Sequence, residues 1–272
     1  ARLASWGAGA CLADDMGLGK TMQALALLLR RAENGPALVV APTSVGFNWM
    51  DEAARFAPSL KLHLFGPGDR EAHIAALGAG DVLVCSYGLL QREADVLASR
   101  RWATVVLDEA QAIKNPTTLR ARAAFGLQAD FRLATTGTPV ENRLDELWSL
   151  FKFLLPNFLG SKKRFSERFG NGEGIVDLRK LVRPFILRRL KSDVLDTLPP
   201  RTDIVWHVQP DEAEAKVYEA LRLAAARELE GAADSPQQRM QVLAWITKLR
   251  LACCDPRLVR KGAGSGAKQA EL

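Results

Sequence analysis

Short apolar runs recur along the first half of the chain, and each leads through polar or glycine-containing residues into a stretch with helical spacing. This alternation predicts buried parallel strands that are joined by helices. The predicted strands cover residues 10–13, 38–41, 61–65, 82–86, 104–107 and 131–135. The predicted helices between them cover residues 22–29, 45–56, 69–77, 91–98 and 117–125. The pattern therefore predicts an α/β fold with a parallel sheet, and polar residues cluster where its strands end.

Helical spacing replaces this alternation after residue 142. An apolar face that includes Leu147, Trp148 and Phe151 predicts a helix, which Pro156 ends. Further on, residues 202–208 alternate like a strand, and two later stretches again have helical spacing. These two predicted helices cover residues 211–230 and 237–253. The last residues, 262–268, are rich in Gly, Ser and Ala and predict a linker.

The stretch GACLADDMGLGKT, residues 9–21, has the composition of a phosphate-binding loop between a strand and a helix. Gly17 and Gly19 permit backbone conformations in which successive N–H groups point inward, and the following helix adds the positive end of its dipole. Lys20 is placed to contact the β- and γ-phosphates of a nucleotide, and the Thr21 hydroxyl to bind Mg²⁺.

One residue departs from the strict G-x-x-x-x-G-K-[ST] pattern, because Asp14 occupies the position of the first glycine. A glycine-rich turn without a ligand is the alternative interpretation of this stretch. The predicted ATP-binding residues are Asp14, Asp15, Met16, Gly17, Leu18, Gly19, Lys20 and Thr21.

A second polar cluster follows the predicted strand at residues 104–107. Asp108 is expected to hold Mg²⁺ together with Thr21, and Glu109 to orient and deprotonate an attacking water. Two acids after a strand often form only a solvated turn, but a preceding phosphate loop favours the catalytic interpretation. Gln111 is placed to sense the γ-phosphate, so the predicted catalytic residues are Lys20, Asp108, Glu109 and Gln111.

Charge is distributed unevenly along the 272 residues, although the net charge of the whole chain is only +6. Residues 152–191 contain 11 Lys and Arg against 3 Asp and Glu, a net charge of +8, and the rest of the chain carries −2. A run of charge is often only a solvated face. The alternative is an electrostatic contact with DNA phosphates.

The four cysteines lack metal-ligand spacing and are interpreted as reduced structural thiols. No apolar run is long enough to span a membrane, and no signal-peptide pattern opens the chain. These features predict a cytoplasmic protein without a membrane partner. Because Ala1 precedes the phosphate loop by only a few residues, the sequence is also interpreted as a fragment.

Five segments, taken in order, strongly resemble the first-lobe motifs of Swi/Snf-type DNA-translocating ATPases of helicase superfamily two. They are GACLADDMGLGKT, LVVAPTSV, VLVCSYGLL, VVLDEAQAIKN and ATTGTPVEN. The resemblance continues through LDELWSLFKFLLP, PFILRRLKSDVLDTLPPRT and KLRLACCDP. It implies a RecA-like P-loop lobe with a parallel sheet flanked by helices, plus a helical protrusion. The chain departs from the family at Asp15, where Glu is usual, and at Gln111, where His is frequent.

The resemblance also implies a set of DNA-binding residues on the phosphate backbone of the duplex: Pro42, Thr43, Ser44, Ser86, Tyr87, Lys114 and Asn115. The residues Thr136, Gly137 and Thr138 would couple the nucleotide state to DNA binding. For Thr43 and Ser44 the alternative is a helix N-cap. Trp49 is interpreted as a packing residue, and Arg188 and Arg189 are expected either to contact DNA or to pack against the site.

The predicted organisation follows from this resemblance. A RecA-like ATP-binding lobe at residues 1–158 precedes a basic helical protrusion at 159–200, and residues 201–261 complete one of these two parts. Residues 262–272 form a linker toward a second RecA-like lobe of the same full-length chain.

The predicted function is that of the N-terminal motor lobe of an ATP-dependent translocase on double-stranded DNA, which remodels or displaces a DNA-bound protein. ATP and Mg²⁺ are the predicted cofactors. Two alternatives stay open: the motor lobe of a strand-separating helicase or restriction enzyme, and a non-catalytic nucleotide-dependent DNA-binding module. Because the family's arginine finger lies in the second lobe, the chain alone is expected to hydrolyse ATP very slowly.

Overall fold

The structure is a computed structural model that describes residues 2–137, 144–172, 174–194, 204–230 and 235–271. The chain divides into two compact units, Ala1–Leu198 and Pro199–Leu272. Strands occur in the first unit, at β1 Ala10–Leu12, β2 Ala37–Ala41, β3 Lys61–Leu64, β4 Asp81–Ser86, β5 Arg101–Trp102, β6 Thr104–Leu107, β7 Gln128–Ala129, β8 Arg132–Thr135 and β9 Ile186–Leu187.

Seven of these described strands form one parallel sheet in the order β3-β4-β2-β6-β8-β1-β9. The short strands β5 and β7 form a separate parallel pair. Strand β1 lies between β8 and β9, with Cys11 opposite Ala134 on one side and opposite Ile186 on the other. The predicted α/β fold with a parallel sheet is confirmed.

Helices cover both faces of this sheet. Those of the first unit are α1 Arg2–Ser5, α2 Lys20–Arg30, α3 Gly46–Phe56, α4 Arg70–Ala76, α5 Tyr87–Arg92, α6 Ala94–Ala98, α7 Leu119–Gly126, α8 Leu144–Leu154, α9 Lys162–Phe169, α10 Ile175–Val182 and α11 Lys191–Val194. Those of the second unit are α12 Glu212–Leu229, α13 Pro236–Cys254 and α14 Ala267–Ala270.

Two apolar cores lie on opposite faces of the sheet because successive side chains of a strand point to opposite sides. Val40 belongs to the core shared with α5, α7 and α8, whereas Val39 belongs to the core shared with α2 and α3. Cys11 and Cys85 are buried in the first of these cores, and burial raises the pKa of each thiol to about 12. A third cluster joins α8 to α9 and α10 through Phe151, Phe165 and Leu178. The basic segment is thus anchored on the sheet domain through apolar side chains.

The predicted elements differ from the structure in several places. The helix expected over residues 91–98 is two helices, because Ser86 caps α5 and the chain turns at Glu93 before α6. Residues 204–208 of the expected strand have no regular secondary structure, and the side chains of Ile204, Val205 and Trp206 are exposed. Strands β5, β7 and β9 were not predicted, and helix α14 begins within the predicted linker.

In the second unit, α12 and α13 pack against each other, and the Asp211 carboxylate caps α12 by accepting from the N–H of Glu214. Glu214 is buried and accepts from the N–H of Ala267 at 3.1 Å. Among the described helices of the whole chain, none combines the length and the apolar character needed to cross a membrane.

Candidate functional site

The carboxyl ends of the parallel strands bring five predicted segments to one edge of the sheet. These segments follow β1, β2, β4, β6 and β8. In open α/β sheets this edge is where ligands bind. The site therefore consists of loops and helix starts that are separated in sequence by more than a hundred residues.

The loop after β1 has the backbone that phosphate binding requires. Gly17 and Gly19 have φ values of +85° and +70°, a region that side chains other than hydrogen strongly disfavour. Helix α2 starts at Lys20 directly after Gly19, without the side-chain cap that Ser86 and Thr118 give to α5 and α7. The first N–H groups of a helix have no acceptor within the helix, so those of α2 are available to an anion.

Lys20 lies over the loop that precedes it. Its Nζ donates to the carbonyl oxygens of Asp14 at 2.8 Å and of Asp15 at 3.2 Å. Neutral carbonyl oxygens are weaker partners for an ammonium group than phosphate oxygens. The arrangement therefore holds the Lys20 ammonium at the loop, from which a nucleotide phosphate would draw it away.

Asp14 does not present its carboxylate to the phosphate position. The side chain is fully buried, and its oxygens accept from the main-chain N–H of Arg189 at 2.9 Å, from the Arg189 guanidinium and from Gln23 Nε2 at 3.3 Å. Burial by itself would raise the pKa of Asp14, but the hydrogen bonds from Arg189 and Gln23 outweigh it and hold the pKa below its ordinary value. The Asp14 side chain thus anchors a distant segment, and its carbonyl oxygen accepts from Lys20 Nζ.

This distant segment, residues 186–191, is called the strap here. Strand β9 opens it, and Leu187 and Arg189 accept from the N–H groups of Ala13 at 2.7 Å and Asp15 at 3.1 Å. At its end, the N–H of Lys191 donates to Asp15 Oδ2 at 3.1 Å. The Lys191 Nζ lies 3.4 Å from the point where a Cβ at Gly17 would stand. The strap therefore fixes the backbone of the phosphate loop along its whole first half.

For Arg189, packing against the site was one of two predicted alternatives, and its guanidinium lies on Asp14. Strand β9 and the position of Lys191 were not predicted. The missing signal was the pairing of FILRRLK with β1, which depends on tertiary contacts and not on local pattern.

Asp108 is held by three donors. Its carboxylate accepts from Trp49 Nε1 at 2.9 Å, from Thr135 Oγ1 at 2.5 Å and from the N–H of Glu109 at 3.0 Å. A carboxylate has about four acceptor positions, so these bonds leave capacity for one further partner. Together with the Thr21 hydroxyl, this is the oxygen donor set that Mg²⁺ prefers, and the residues present fit the ion.

Glu109, Gln111 and Thr136 form a chain of hydrogen bonds between β6 and β8. Gln111 Nε2 donates to Glu109 Oε2 at 2.7 Å, and Thr136 Oγ1 donates to Gln111 Oε1 at 2.8 Å. Glu109 has a φ of +50°, which is uncommon for a residue with a side chain and marks a specially held position. An amide at residue 111 can donate to one neighbour and accept from the other, so Gln111 joins the predicted base to the predicted coupling segment.

Gly137 and Met16 connect the coupling segment to the phosphate loop. A Cβ at Gly137 would stand 3.4 Å from Met16 Cγ, so the two loops are in contact range. Thr136 is buried, and Thr138 lies outside the described residues.

The seven predicted DNA-binding residues have different surroundings. Thr43 and Ser44 are exposed, and Pro42 beside them is half-buried. The N-cap alternative for them is wrong, because α3 begins at Gly46 with Val45 as its cap and no side-chain bond. Lys114 is half-exposed and lies 4.0 Å from Glu146, while Asn115 is exposed and accepts from the N–H of Thr117 at 3.1 Å.

Ser86 and Tyr87 turn inward. Ser86 Oγ accepts from the N–H of Leu89 at 3.2 Å and caps α5. Tyr87 is only 4% exposed, and its hydroxyl donates to the carbonyl oxygen of Asp108 at 2.7 Å. The Tyr87 side chain therefore lacks the exposure that a direct DNA contact requires.

Comparisons with known proteins identify the family and the fold of the chain. A family model for the SNF2-related domain matches residues 2–258. The chain is 36% identical to an uncharacterized ATP-dependent helicase of Mycoplasma pneumoniae over 257 residues, which are 92% of this chain and 25% of the relative. It is 38% identical to the ISWI chromatin-remodeling complex ATPase CHR11 of Arabidopsis thaliana over 280 residues, 97% of this chain and 26% of the relative.

Among solved structures, the SWI2/SNF2 ATPase core of Sulfolobus solfataricus in complex with dsDNA matches with a TM-score of 0.66 and 33% sequence identity. The match covers 99% of this chain and 60% of that chain. The predicted resemblance and the predicted RecA-like fold are thereby confirmed. This chain spans about a quarter of the length of the two curated relatives.

Proposed function

The chain belongs to the SNF2-related domain family, and from this premise we propose that it is the nucleotide-binding lobe of an ATP-dependent motor on double-stranded DNA. The observation that carries the proposal is the meeting of the phosphate loop with the Asp108–Glu109–Gln111–Thr136 cluster at one edge of the sheet. A bound nucleotide would lie between these two groups.

ATP binding falls to the loop after β1 and the start of α2. The N–H groups around Gly17 and Gly19 receive the phosphates, and Lys20 leaves its carbonyl partners for the β- and γ-phosphates. Asp108 and the Thr21 hydroxyl would hold Mg²⁺, which would neutralise charge on the phosphates.

Hydrolysis falls to Glu109, which takes the proton of the attacking water. The hydrogen bond from Gln111 holds the Glu109 carboxylate in place, and the bond from Thr136 to Gln111 links it to the segment after β8. A change in the nucleotide can thus reach Thr136, Gly137 and Thr138, which we assign to coupling.

DNA binding falls to the same edge of the sheet. Thr43, Ser44, Lys114 and Asn115 offer exposed polar groups there, and a duplex backbone is recognised by such groups without regard to sequence. The net charge of +8 in residues 152–191 adds attraction through release of counterions. The dsDNA in the matched Sulfolobus solfataricus structure supports this assignment by analogy.

A second RecA-like lobe of the same full-length chain is proposed as the partner that supplies the arginine finger. With it, the motor would move along duplex DNA and remodel or displace a bound protein. The curated relatives support this because one is a chromatin-remodeling complex ATPase. The rival function is strand separation, which the helicase name of the other relative favours.

Nucleotide binding is tested by calorimetric titration of the chain with Mg-ATP. Replacing Lys20 by Ala removes a charge-assisted contact to phosphate, so we expect affinity to fall about 10- to 100-fold. Lys61→Ala is the matched control because Lys61 is exposed at the start of β3, at the opposite edge of the sheet. Equal affinity for the wild type and Lys20→Ala would overturn the proposal.

Strand separation is tested on a forked duplex with the chain joined to a second lobe. DNA-stimulated hydrolysis without release of either strand supports translocation on duplex DNA. Release of a strand would support the helicase function instead.

A further inference from the structure

Trp49 connects a predicted DNA-contacting segment to Asp108. Its helix, α3, starts at Gly46, and only the cap residue Val45 separates it from the exposed Thr43 and Ser44. Trp49 lies in the first turn. The indole is 0% exposed, and its Nε1 donates to Asp108 Oδ2 at 2.9 Å. A hydrogen bond to a carboxylate is stronger than one to a neutral acceptor. Because Trp49 makes such a bond, a shift of α3 would move the Asp108 carboxylate.

Tyr87 makes a parallel connection from a second segment. It is the first residue of α5, which starts where β4 ends, and its hydroxyl donates to the main-chain oxygen of Asp108 at 2.7 Å. This bond connects the start of α5 to the backbone of Asp108.

Neither side chain can serve DNA directly, since both are buried. Packing alone does not explain why the Trp49 indole N–H and the Tyr87 hydroxyl both donate to Asp108. Trp102 is equally buried, and its indole donates to the main-chain oxygen of Leu97 at 2.9 Å, away from the site. Trp49 and Tyr87 instead converge on one residue from two different helices.

We propose that Trp49 and Tyr87 are positioning residues that transmit DNA contact at this edge of the sheet to Asp108. The inference rests on the proposed function. When duplex DNA orders the starts of α3 and α5, the two donors fix the carboxylate and the backbone of Asp108 in the geometry that Mg-nucleotide binding needs. Because such coupling is reciprocal, Mg-nucleotide binding strengthens DNA binding by the same factor.

The test measures this factor in the chain itself. Dissociation constants for Mg²⁺ with a slowly hydrolysed ATP analogue are determined with and without a short blunt duplex. For the wild type we expect the duplex to tighten nucleotide binding at least about 5-fold, the lower end of allosteric coupling.

Two variants remove single donors. Trp49→Phe and Tyr87→Phe should each bring the coupling factor most of the way down to 1, the value without coupling. DNA affinity measured without nucleotide should stay as in the wild type. Trp102→Phe is the matched control, because it removes an equally buried indole donor outside the site and should keep the full factor. Wild-type coupling in both Trp49→Phe and Tyr87→Phe would overturn the inference.

A spectroscopic measurement tests the connection without relying on activity. In the ¹⁵N-labelled chain, the indole N–H signal of Trp49, assigned by its loss in Trp49→Phe, should shift when DNA is added without nucleotide, and that of Trp102 should not. If Trp49→Phe does not fold, Tyr87→Phe decides, since it removes only one oxygen. A wild type that binds both ligands without coupling overturns this inference alone, whereas one that does not bind Mg-nucleotide overturns the proposed function with it.

Discussion

At the scale of single residues, Glu52 shows how the charge of Asp108 extends into its surroundings. Glu52 lies on α3 one turn after Trp49, and burial together with the negative charge of Asp108 raises its pKa above the ordinary value. A carboxyl group whose pKa is raised by folding stabilises the protein fully at pH values below its unfolded pKa. That stability is lost as the pH rises through the folded pKa.

We therefore predict that Glu52→Gln raises Tm at pH 7 in the absence of Mg²⁺, and that the gain shrinks as the pH falls toward the ordinary glutamate range. Thermal unfolding at several pH values measures this. Asp51→Asn is the control, because Asp51 is exposed on the same helix. A gain that stays constant with pH would contradict the explanation.

Gln111 gives a second prediction at this scale, because it links Glu109 to Thr136. In the chain joined to a second lobe, Gln111→Ala should lower kcat about 10-fold or more while KM for ATP changes little, since partners that orient a reacting group typically contribute this much. Gln111→His should retain most of the activity, because a neutral imidazole also has one donor and one acceptor. Steady-state kinetics of the two variants measure this. An equal loss of kcat in Gln111→Ala and Gln111→His would contradict the role of Gln111 as a link between Glu109 and Thr136.

At the scale of elements, the strap of residues 186–191 holds the phosphate loop through Asp14. Arg189→Met should lower Tm at pH 7 because it leaves the buried Asp14 carboxylate without its main partner. The pKa of Asp14 is lowered by folding, so the stabilisation is present above the unfolded pKa and lost as the pH falls through the folded pKa. The loss caused by Arg189→Met should therefore diminish in strong acid.

Arg188→Met is the matched control for this prediction, since Arg188 is the neighbouring exposed residue and removes the same charge from the strap. Melting curves of the two variants decide the matter. An equal decrease in Tm for both would show that total charge, and not the contact with Asp14, stabilises the loop.

Local pattern was sufficient to predict the elements that carry their own signal. Strand β2 is apolar throughout and β4 is apolar from Val82 to Cys85, because both faces of these strands are buried. Gly17 and Gly19 indicate the turn between β1 and α2. The sequence could not predict β9, because a two-residue strand beside a basic run has no pattern of its own and exists only through its pairing with β1.

Residues 204–208 are the opposite case, in which the pattern predicts a strand that the structure lacks. Their alternation is typical of a half-buried strand, but in the described part of the second unit no neighbouring strand pairs with them. At the site, residue types predicted which groups meet, whereas the inward orientation of Tyr87 depends on the end of β6, which local sequence does not encode.

At the scale of the whole molecule, positive charge lies on the exposed faces of α9 and α10. If these faces bind duplex DNA, replacing Lys163, Arg179 and Lys180 by Gln should weaken binding. The negative slope of log K against log salt should also become shallower, by roughly 0.9 for each lost phosphate contact. Fluorescence titrations over a range of salt concentrations measure the slope.

The control for this prediction replaces Arg30, Arg55 and Lys61 by Gln. These exposed residues stand near the ends of α2 and α3 and at the start of β3, so they lie at the amino edge of the sheet. An equal change in slope for the two triple variants would show that DNA binding depends only on the net charge of the chain and not on the faces of α9 and α10.

The central claim is that this chain is one lobe of a motor whose hydrolysis is completed by a second lobe. Transition-state charge on the γ-phosphate must be neutralised from more than one side, and an arginine finger contributes about 10³ to 10⁵ in rate. The most direct test is steady-state ATP hydrolysis by the chain alone and by the chain joined to a second lobe, each with and without duplex DNA. We expect very slow turnover by the chain alone, and DNA-stimulated turnover in the joined protein that Glu109→Gln abolishes without loss of ATP binding. Turnover by the chain alone at the rate of the joined protein would contradict it.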